Sequence, residues 1–398
     1  MNIVQKYGGC YLKNMEDLSA IASHLAQSRE NSDSLVLVTA AMQEIAEAMS
    51  ARAASLETEI GSDKLDAMFS AAEKQTAALM AAALEREGLR AAVIEDIKGT
   101  SLSEVEVFAG KHELEIGRIE KALQEGVIPV VAGFQGIGKY GAEDVQGRYG
   151  AAATAVAIAA GLGCDCQLYG NTKGIYTREP AEEGSVIEKI SYEEAMELIM
   201  LGESDLESRA IELAKAFGVE VYVGPAMEEE KSGGTYIMDR SLIVQEAAVT
   251  GLTVSDDIVV YTLKGLPTDG DRIAELFELL SDLSVNIDMI SQQTCSEHSC
   301  AVSFSCSKDK ISEIDQAFEV NQRLRELEIY KQDNLSLVSL VGVGMASHVG
   351  VAGRVFSVLA QHAIHHYNIT TSEISISVAI DSSQKAAAVV SLSEAFGL

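Results

Sequence analysis

The chain has 398 residues, 47% of them hydrophobic, which exceeds one typical compact domain, supports a sizeable core and excludes wholesale disorder. Sixty Asp and Glu against 30 Lys and Arg give a formal net charge of −30, a surface that repels nucleic-acid phosphates and anionic membranes. No apolar run approaches the roughly 20 residues of a membrane span, MNIVQKYGG reads as a short strand and not a signal peptide, and six cysteines in so long a chain are no disulfide framework, so a cytoplasmic protein is expected.

Strands and helices alternate in the first half. Ile3–Tyr7 is a strand ending in Gly8-Gly9, and Leu35–Thr39 is a buried strand. Residues 64–87 carry Ala, Leu, Glu and Met at helical spacing. Ile128–Ala132 is another buried strand, running into Gly133. Ala151–Gly161 is a small-residue helix able to pack closely on a sheet, Gln167–Tyr169 is a strand, and Glu193–Leu201 and Leu206–Phe217 are helices. This alternation argues for an α/β sandwich with a largely parallel sheet. The polar stretch Glu228–Gly234 marks the approach to a boundary, and a first domain of residues 1–240 is expected.

The remainder contains an internal repeat. Gly265 and Gly344, Phe277 and Phe356, Leu280 and Leu359, and Val285 and Ile364 pair at a constant offset of 79 residues. Each unit runs strand, loop, amphipathic helix, strand. Two small α+β modules are therefore expected, at 256–330 and 335–398, with strands open to exchange between them. Cys295, His298 and Cys300 lie close enough together to hold a metal, or are free thiols in a reducing compartment; the second reading is preferred, and no metal site is expected.

Several short motifs occur in one order. They are Lys6-Tyr7-Gly8-Gly9, Gly133-Phe134-Gln135-Gly136, Gly147-Arg148-Tyr149-Gly150, Gly174-Ile175-Tyr176-Thr177, Ile190–Ala195, Arg209–Ala214, Val285–Ile290, Gly342–Met345 and Thr371–Ser377. Each is weak alone. Together, collinear over nearly the whole chain, they resemble the aspartokinase family. The resemblance implies an amino-acid-kinase-like three-layer sandwich followed by two ACT (ferredoxin-like) modules.

It also implies a reaction, transfer of the γ-phosphoryl group of ATP to the side-chain carboxylate of L-aspartate, with Mg2+ if the chain is active. That nucleophile is ionised at neutral pH (Asp pKa about 3.9), so catalysis rests on positioning and positive charge and not on a base. Lys6, after a strand and before two glycines that let backbone approach phosphates, suits the catalytic cation; taken alone it is equally a surface lysine beside a turn. By resemblance Glu73 binds the amino group of aspartate and Arg148 clamps its carboxylate, a task for a planar fork. Gly8, Gly9, Gly174 and Tyr176 fall on the nucleotide side. Asn286, Asp288 and Gln292 fall where the first ACT module would bind an amino-acid effector. Assembly as a homodimer or higher through the ACT modules is implied, with an active paralogue as a further candidate partner.

The departures from the family pattern gather at the cleft. Ala151 and Ala152 stand where serine and aspartate are usual, and Tyr149 replaces a glycine. Gly170-Asn171-Thr172-Lys173-Gly174 has lost both carboxylates of the nucleotide loop. Cys10 and Tyr11 bring bulk beside the glycine pair, and Glu207-Ser208 replace histidine–proline. Thr268–Asp271, and His365-His366 in the second module, alter the effector turns. The expectation is a cleft stripped of carboxylates, weak or absent kinase activity and a regulatory role; the alternatives are an active kinase with an unusual site, or one for another small amino acid or carboxylate.

Overall fold

A computed structural model describes residues 2–28, 34–55, 61–94, 116–133, 150–178, 184–202, 206–226, 233–243, 247–267, 270–296 and 299–398. They fall into two compact units, one built mainly from residues up to 246 and the other mainly from 247–398.

The first unit is a layered α/β structure. Its strands are β1 (Asn2–Tyr7), β2 (Ser34–Thr39), β3 (Ala91–Ile94), β4 (Ile128–Ala132), β5 (Asp165–Tyr169), β6 (Lys189–Ser191), β7 (Val221–Val223) and β8 (Thr235–Met238). They form one sheet in the order β3-β4-β2-β1-β5-β7-β8-β6. Every neighbouring pair is parallel except β7 and β8. Strands β2 and β4 read as near-continuous apolar runs because both faces are covered. Leu35 and Leu37 of β2 and Ile128 and Val130 of β4 share a core with Leu18 and Ile21 of α1 (Met15–Ser28) and Met80 and Leu84 of α3 (Ser62–Arg86). A shorter helix, α2 (Gln43–Ala54), lies between them in sequence. Asn14 starts α1 by accepting from the amides of Glu16 and Asp17, which closes donors the first turn leaves open.

The alternate residues Val36 and Val38 are buried as well. On that side runs α5 (Gly150–Leu162), which packs on β1, β2 and β5. It follows α4 (Gly117–Gln124) in chain order. Every residue of α5 from Ala151 to Ala159 is buried, as a helix of alanines enclosed on all sides must be. Helices α6 (Tyr192–Leu201) and α7 (Ser208–Phe217) follow, and α7 packs along α5.

The second unit holds two four-stranded antiparallel sheets. The first is built from β10 (Val259–Leu266), α8 (Asp271–Asp282), β11 (Met289–Ser296), β12 (Ser299–Cys306), α9 (Ile311–Val320) and β13 (Glu328–Gln332), with strand order β11-β12-β10-β13. Tyr261 stacks on Phe304 at 5.4 Å in its core. The second takes β14 (Leu335–Val341), α10 (Val351–Gln361), β15 (His366–Thr371), β16 (Ser375–Asp381) and α11 (Lys385–Phe396). Its order is β15-β16-β14-β9, and the fourth strand is β9 (Gly251–Ser255), from ahead of the first module. The two sheets touch through Ile258, Val260, Met289, Leu335, Leu337 and Ala379.

The 79-residue repeat is real in the helices and breaks at the glycines. Leu280 and Leu359, and Val285 and Ile364, are buried equivalents. Gly265, however, sits inside β10 at a register shift with φ +89°, whereas Gly344 lies in a short turn after β14. A Cβ on Gly344 would meet the Ala247 carbonyl at 2.2 Å, so the backbone leading into β9 occupies that space.

Asp256, between β9 and β10, accepts hydrogen bonds from Lys385 Nζ and Ser336 Oγ. The Lys385 ammonium, then the Ser336 hydroxyl, hold its carboxyl below the usual range. A depressed folded pKa contributes stability above the unfolded value and loses it as pH falls through the folded one. Because the pair is partly exposed, Asp256→Asn is expected to cost no more than about 1 kcal/mol near neutrality. Urea unfolding of both forms should converge as the pH is taken below the depressed carboxyl pKa.

Candidate active site

Strands β1, β2, β4 and β5 run parallel and end along one edge of the sheet. β1 and β5 are neighbours whose onward connections diverge, β1 to β2 on one side and β5 toward β6 at the far edge on the other. In open α/β sheets, ligands settle outside the carboxyl ends of strands at such a switch point. Lys6 occupies the last turn of pleat in β1 there.

After Tyr7 the chain turns sharply. The Gly8 amide donates to Tyr169 O at 3.1 Å, which ties the turn to the end of β5. A Cβ on Gly8 would lie 2.9 Å from Lys6 Nζ, so the ammonium lies over the glycine backbone. Gly9 has φ +54° and a Cβ there would fall 2.4 Å from Asn171 Oδ1. That amide oxygen accepts from the Cys10 backbone N–H at 2.8 Å. Asn171 therefore supplies an acceptor where a lost carboxylate was expected to leave none.

Two carboxylates act on Lys6. Burial draws its ammonium pKa below the usual lysine value, and Glu207, then Glu73, oppose that shift. Glu73 is almost fully enclosed on α3. Glu207 stands at the N-cap of α7 without bonding its own helix amides. Its Oε2 instead accepts from the Ala153 N–H of α5 at 3.2 Å. The losses read at Ala151, Ala152, Asn171 and Lys173 stand, and the first turn of α5 meets instead the carboxylate of Glu207, a residue that sequence alone records only as a replaced histidine.

The floor beside them is tight. Gly133 donates to Thr39 O at 2.9 Å, and its carbonyl accepts from Thr154 Oγ1. A Cβ on Gly133 would come within 2.3 Å of Ala151 Cβ, so strand end and helix start meet with only hydrogen and methyl between them. The Thr39 hydroxyl is buried here with no hydrogen-bond partner among the described residues.

Cys10 and Tyr11, read from sequence as bulk beside the glycine pair, each have a partner in the fold. Cys10 Sγ donates to Gly170 O at 3.1 Å, while Tyr11 packs edge-on to Tyr7 and Tyr169 with its hydroxyl accepting from the Ala226 amide. Tyr11 packs against the core cluster, whereas Cys10 is half-buried in the turn. Gly174 has φ +144° and is crowded by Val186 and Thr235, and Tyr176 bridges to Val186, so both serve the loop's shape. Arg148 lies outside the described residues, as do Phe134, Gln135 and Gly136.

In the second unit Asn286, Asp288 and Gln292 are exposed at and along β11. The Asp288 amide donates to Ser305 O at 3.2 Å, and Gln292 pairs with Val302 in the ladder. They share the exposed edge of the first module. Cys295 is exposed and Cys300 buried, His298 lies outside the described residues, and no group of three or more metal-ligating side chains occurs among the described residues.

Residues 1–225 match the amino acid kinase family, and residues 338–396 match an ACT domain family. Over 400 residues the chain is 32% identical to the aspartokinase of Geobacillus stearothermophilus, covering 100% of this chain and 97% of that one. The chain belongs to the aspartokinase family. The aspartokinase of Bacillus sp. (strain MGA3) is 33% identical, with the same shares of both chains covered. The solved structure of E. coli aspartokinase III in complex with aspartate and ADP covers both chains fully with a TM-score of 0.78; at 19% identity this likeness concerns the fold.

Aspartokinases imply magnesium alongside ATP. Asn171 and Lys173 stand where the family's nucleotide loop carries carboxylates, Asn171 Oδ1 is engaged by the Cys10 amide, and Glu207 is engaged by the Ala153 amide. The described residues therefore offer no dedicated ligand set for magnesium, which needs oxygen ligands in near-octahedral array.

Proposed function

We propose that this chain transfers the γ-phosphoryl group of ATP to the side-chain carboxylate of L-aspartate. The bond from γ-phosphorus to the β–γ bridging oxygen breaks, a bond from phosphorus to a carboxylate oxygen forms, and ADP and an acyl phosphate leave. No proton has to move. The observation carrying this reading is the Lys6 ammonium lying over the Gly8 backbone at the strand switch point.

The roles follow from charge. Lys6 offsets the negative charge on the transferring group. The Gly8–Gly9 backbone admits the phosphates closely, and the loop shaped by Gly174 and Tyr176 borders the nucleotide. Glu73 meets the α-ammonium of aspartate. Arg148 is the proposed clamp for its carboxylate. The two modules of the second unit are both read as ACT domains that bind an amino-acid effector and join two copies of the chain, with Asn286, Asp288 and Gln292 at the effector site.

A second reading, a weak or silent kinase acting as a regulatory subunit, is favoured by the methyl groups at Ala151 and Ala152 and by Lys173 in the nucleotide loop. Coupled detection of ADP release with ATP, magnesium and L-aspartate separates the two. Turnover of about 1–100 per second is expected. An aspartate-independent background rate, with no heat of ATP binding in calorimetry, would favour the second.

A further inference from the structure

The ladder between β1 and β5 closes at Tyr7 and Tyr169, yet the two chain segments stay joined beyond it. The Gly8 amide donates to Tyr169 O at 3.1 Å, Cys10 Sγ to Gly170 O at 3.1 Å, and the Cys10 amide to Asn171 Oδ1 at 2.8 Å. Two of these acceptors are backbone carbonyls that any residue would supply. The third is a side chain, and it belongs to the position read from sequence as a lost carboxylate.

The Asn171 carboxamide does more than accept. It lies against Gly9, where a Cβ would stand 2.4 Å from its Oδ1, 2.9 Å from its Cγ and 3.2 Å from its Nδ2. Gly9 has φ +54°, a conformation that glycine reaches without strain and also leaves freely. Gly8, at the N-cap of the short turn Gly9–Tyr11, has no side chain with which to hold it. Asn171 brings that hold from the loop after the neighbouring strand. Thr172 serves the rest of the loop, its hydroxyl accepting from the Gly174 amide at 3.1 Å.

We propose that Asn171 is a positioning residue: by accepting from the Cys10 amide and covering Gly9, it holds the Gly8–Gly9 turn in the conformation that receives the phosphates of ATP. The proposal rests on the phosphotransferase reading. A turn ordered in advance does not have to be ordered by the ligand, and the difference appears as affinity. The Lys6 ammonium lies over Gly8 in the same turn, so the hold also keeps the cation and the backbone in register.

The test uses the full-length chain. Asn171→Ala removes both the acceptor and the cover on Gly9. KM for ATP is expected to rise about tenfold, with kcat and KM for aspartate each changed less than about threefold, as for a contact made equally in ground state and transition state. Asn171→Asp keeps an acceptor at the same place and should return KM for ATP to within about threefold of the unmutated value. A residue that only stabilised the fold would lower the melting temperature without separating the two substrates. An unchanged KM for ATP in Asn171→Ala, equal rises for both substrates, or no recovery in Asn171→Asp overturns the proposal.

A second readout needs no turnover. Burial pushes the Cys10 thiol pKa up, and its Sγ is tied to Gly170 O. Releasing the turn exposes the thiol and raises its thiolate fraction. Iodoacetamide labelling followed by peptide mass spectrometry should therefore modify Cys10 several-fold faster in Asn171→Ala than in the unmutated chain or Asn171→Asp. The exposed Cys295 serves as the unmoved reference. Equal Cys10 rates overturn the hold. Should the unmutated chain show no turnover, the phosphotransferase reading fails separately, and the labelling alone decides whether Asn171 holds the turn.

Discussion

Lys6→Ala is expected to lower kcat roughly 10³-fold while leaving the melting temperature close to that of the unmutated chain. The lysine sits at a strand end with its stem over Gly8, so its removal takes away charge and little packing. Phosphoryl transfer to a carboxylate joins two anions, and the loss of one well-placed charge-stabilising donor costs about 10²–10³-fold. Lys6→Arg should recover little, because a planar fork does not fit the space over Gly8 that a compact ammonium occupies. ADP release under saturating ATP and aspartate, with circular dichroism on the same samples, checks both halves. A rate within threefold of the unmutated chain would sink the assignment of Lys6.

Gly133→Val is expected to damage stability and turnover together. Its Cβ would stand 2.3 Å from Ala151 Cβ and 2.7 Å from Ala151 Cα, far inside van der Waals contact. Overpacking of this kind costs typically about 1–3 kcal/mol. Relief requires the first turn of α5 to back away from β4, and that turn anchors Glu207 through the Ala153 amide. A shift near 1 Å at a catalytic constellation costs on the order of 10²-fold in rate. Urea midpoints and kcat should therefore fall in parallel. Ala151→Gly on the same background should recover part of the stability, as neighbouring sites are not additive. Full additivity would show that the clash is relieved elsewhere.

How much of this was legible in the sequence depends on the range over which each cause acts. Strand β2 and helix α5 announce themselves, because Leu35–Val38 is a continuous apolar run and Ala151–Ala159 is small and uncharged throughout. The offset repeat finds the equivalent helices through Leu280 and Leu359, whose burial is set by local amphipathicity. The same repeat misaligns the turns, because what fills the space beside Gly344 is backbone from Ala247. Lys6 and Glu73 are proposed by resemblance. Glu207 is not, because its partner Ala153 lies far off in the chain and its identity reads as a loss. Tyr11 reads in sequence only as bulk beside two glycines; that its ring packs edge-on to Tyr7 and Tyr169 depends on the fold.

The placement of β9 bears on how the polypeptide matures. Gly251–Ser255 leaves the ribosome before any of the first module, yet its hydrogen-bonding partner Leu337–Val341 in β14 follows only after that module has been made. Until then a short apolar segment waits with its backbone groups unpaired, a state that long-range strand pairing prolongs and that invites association between nascent chains. A regulatory fragment cut to begin at Asp256 inherits the same defect permanently, with β14 left as a bare edge; one begun ahead of Ala247 carries its own closing strand.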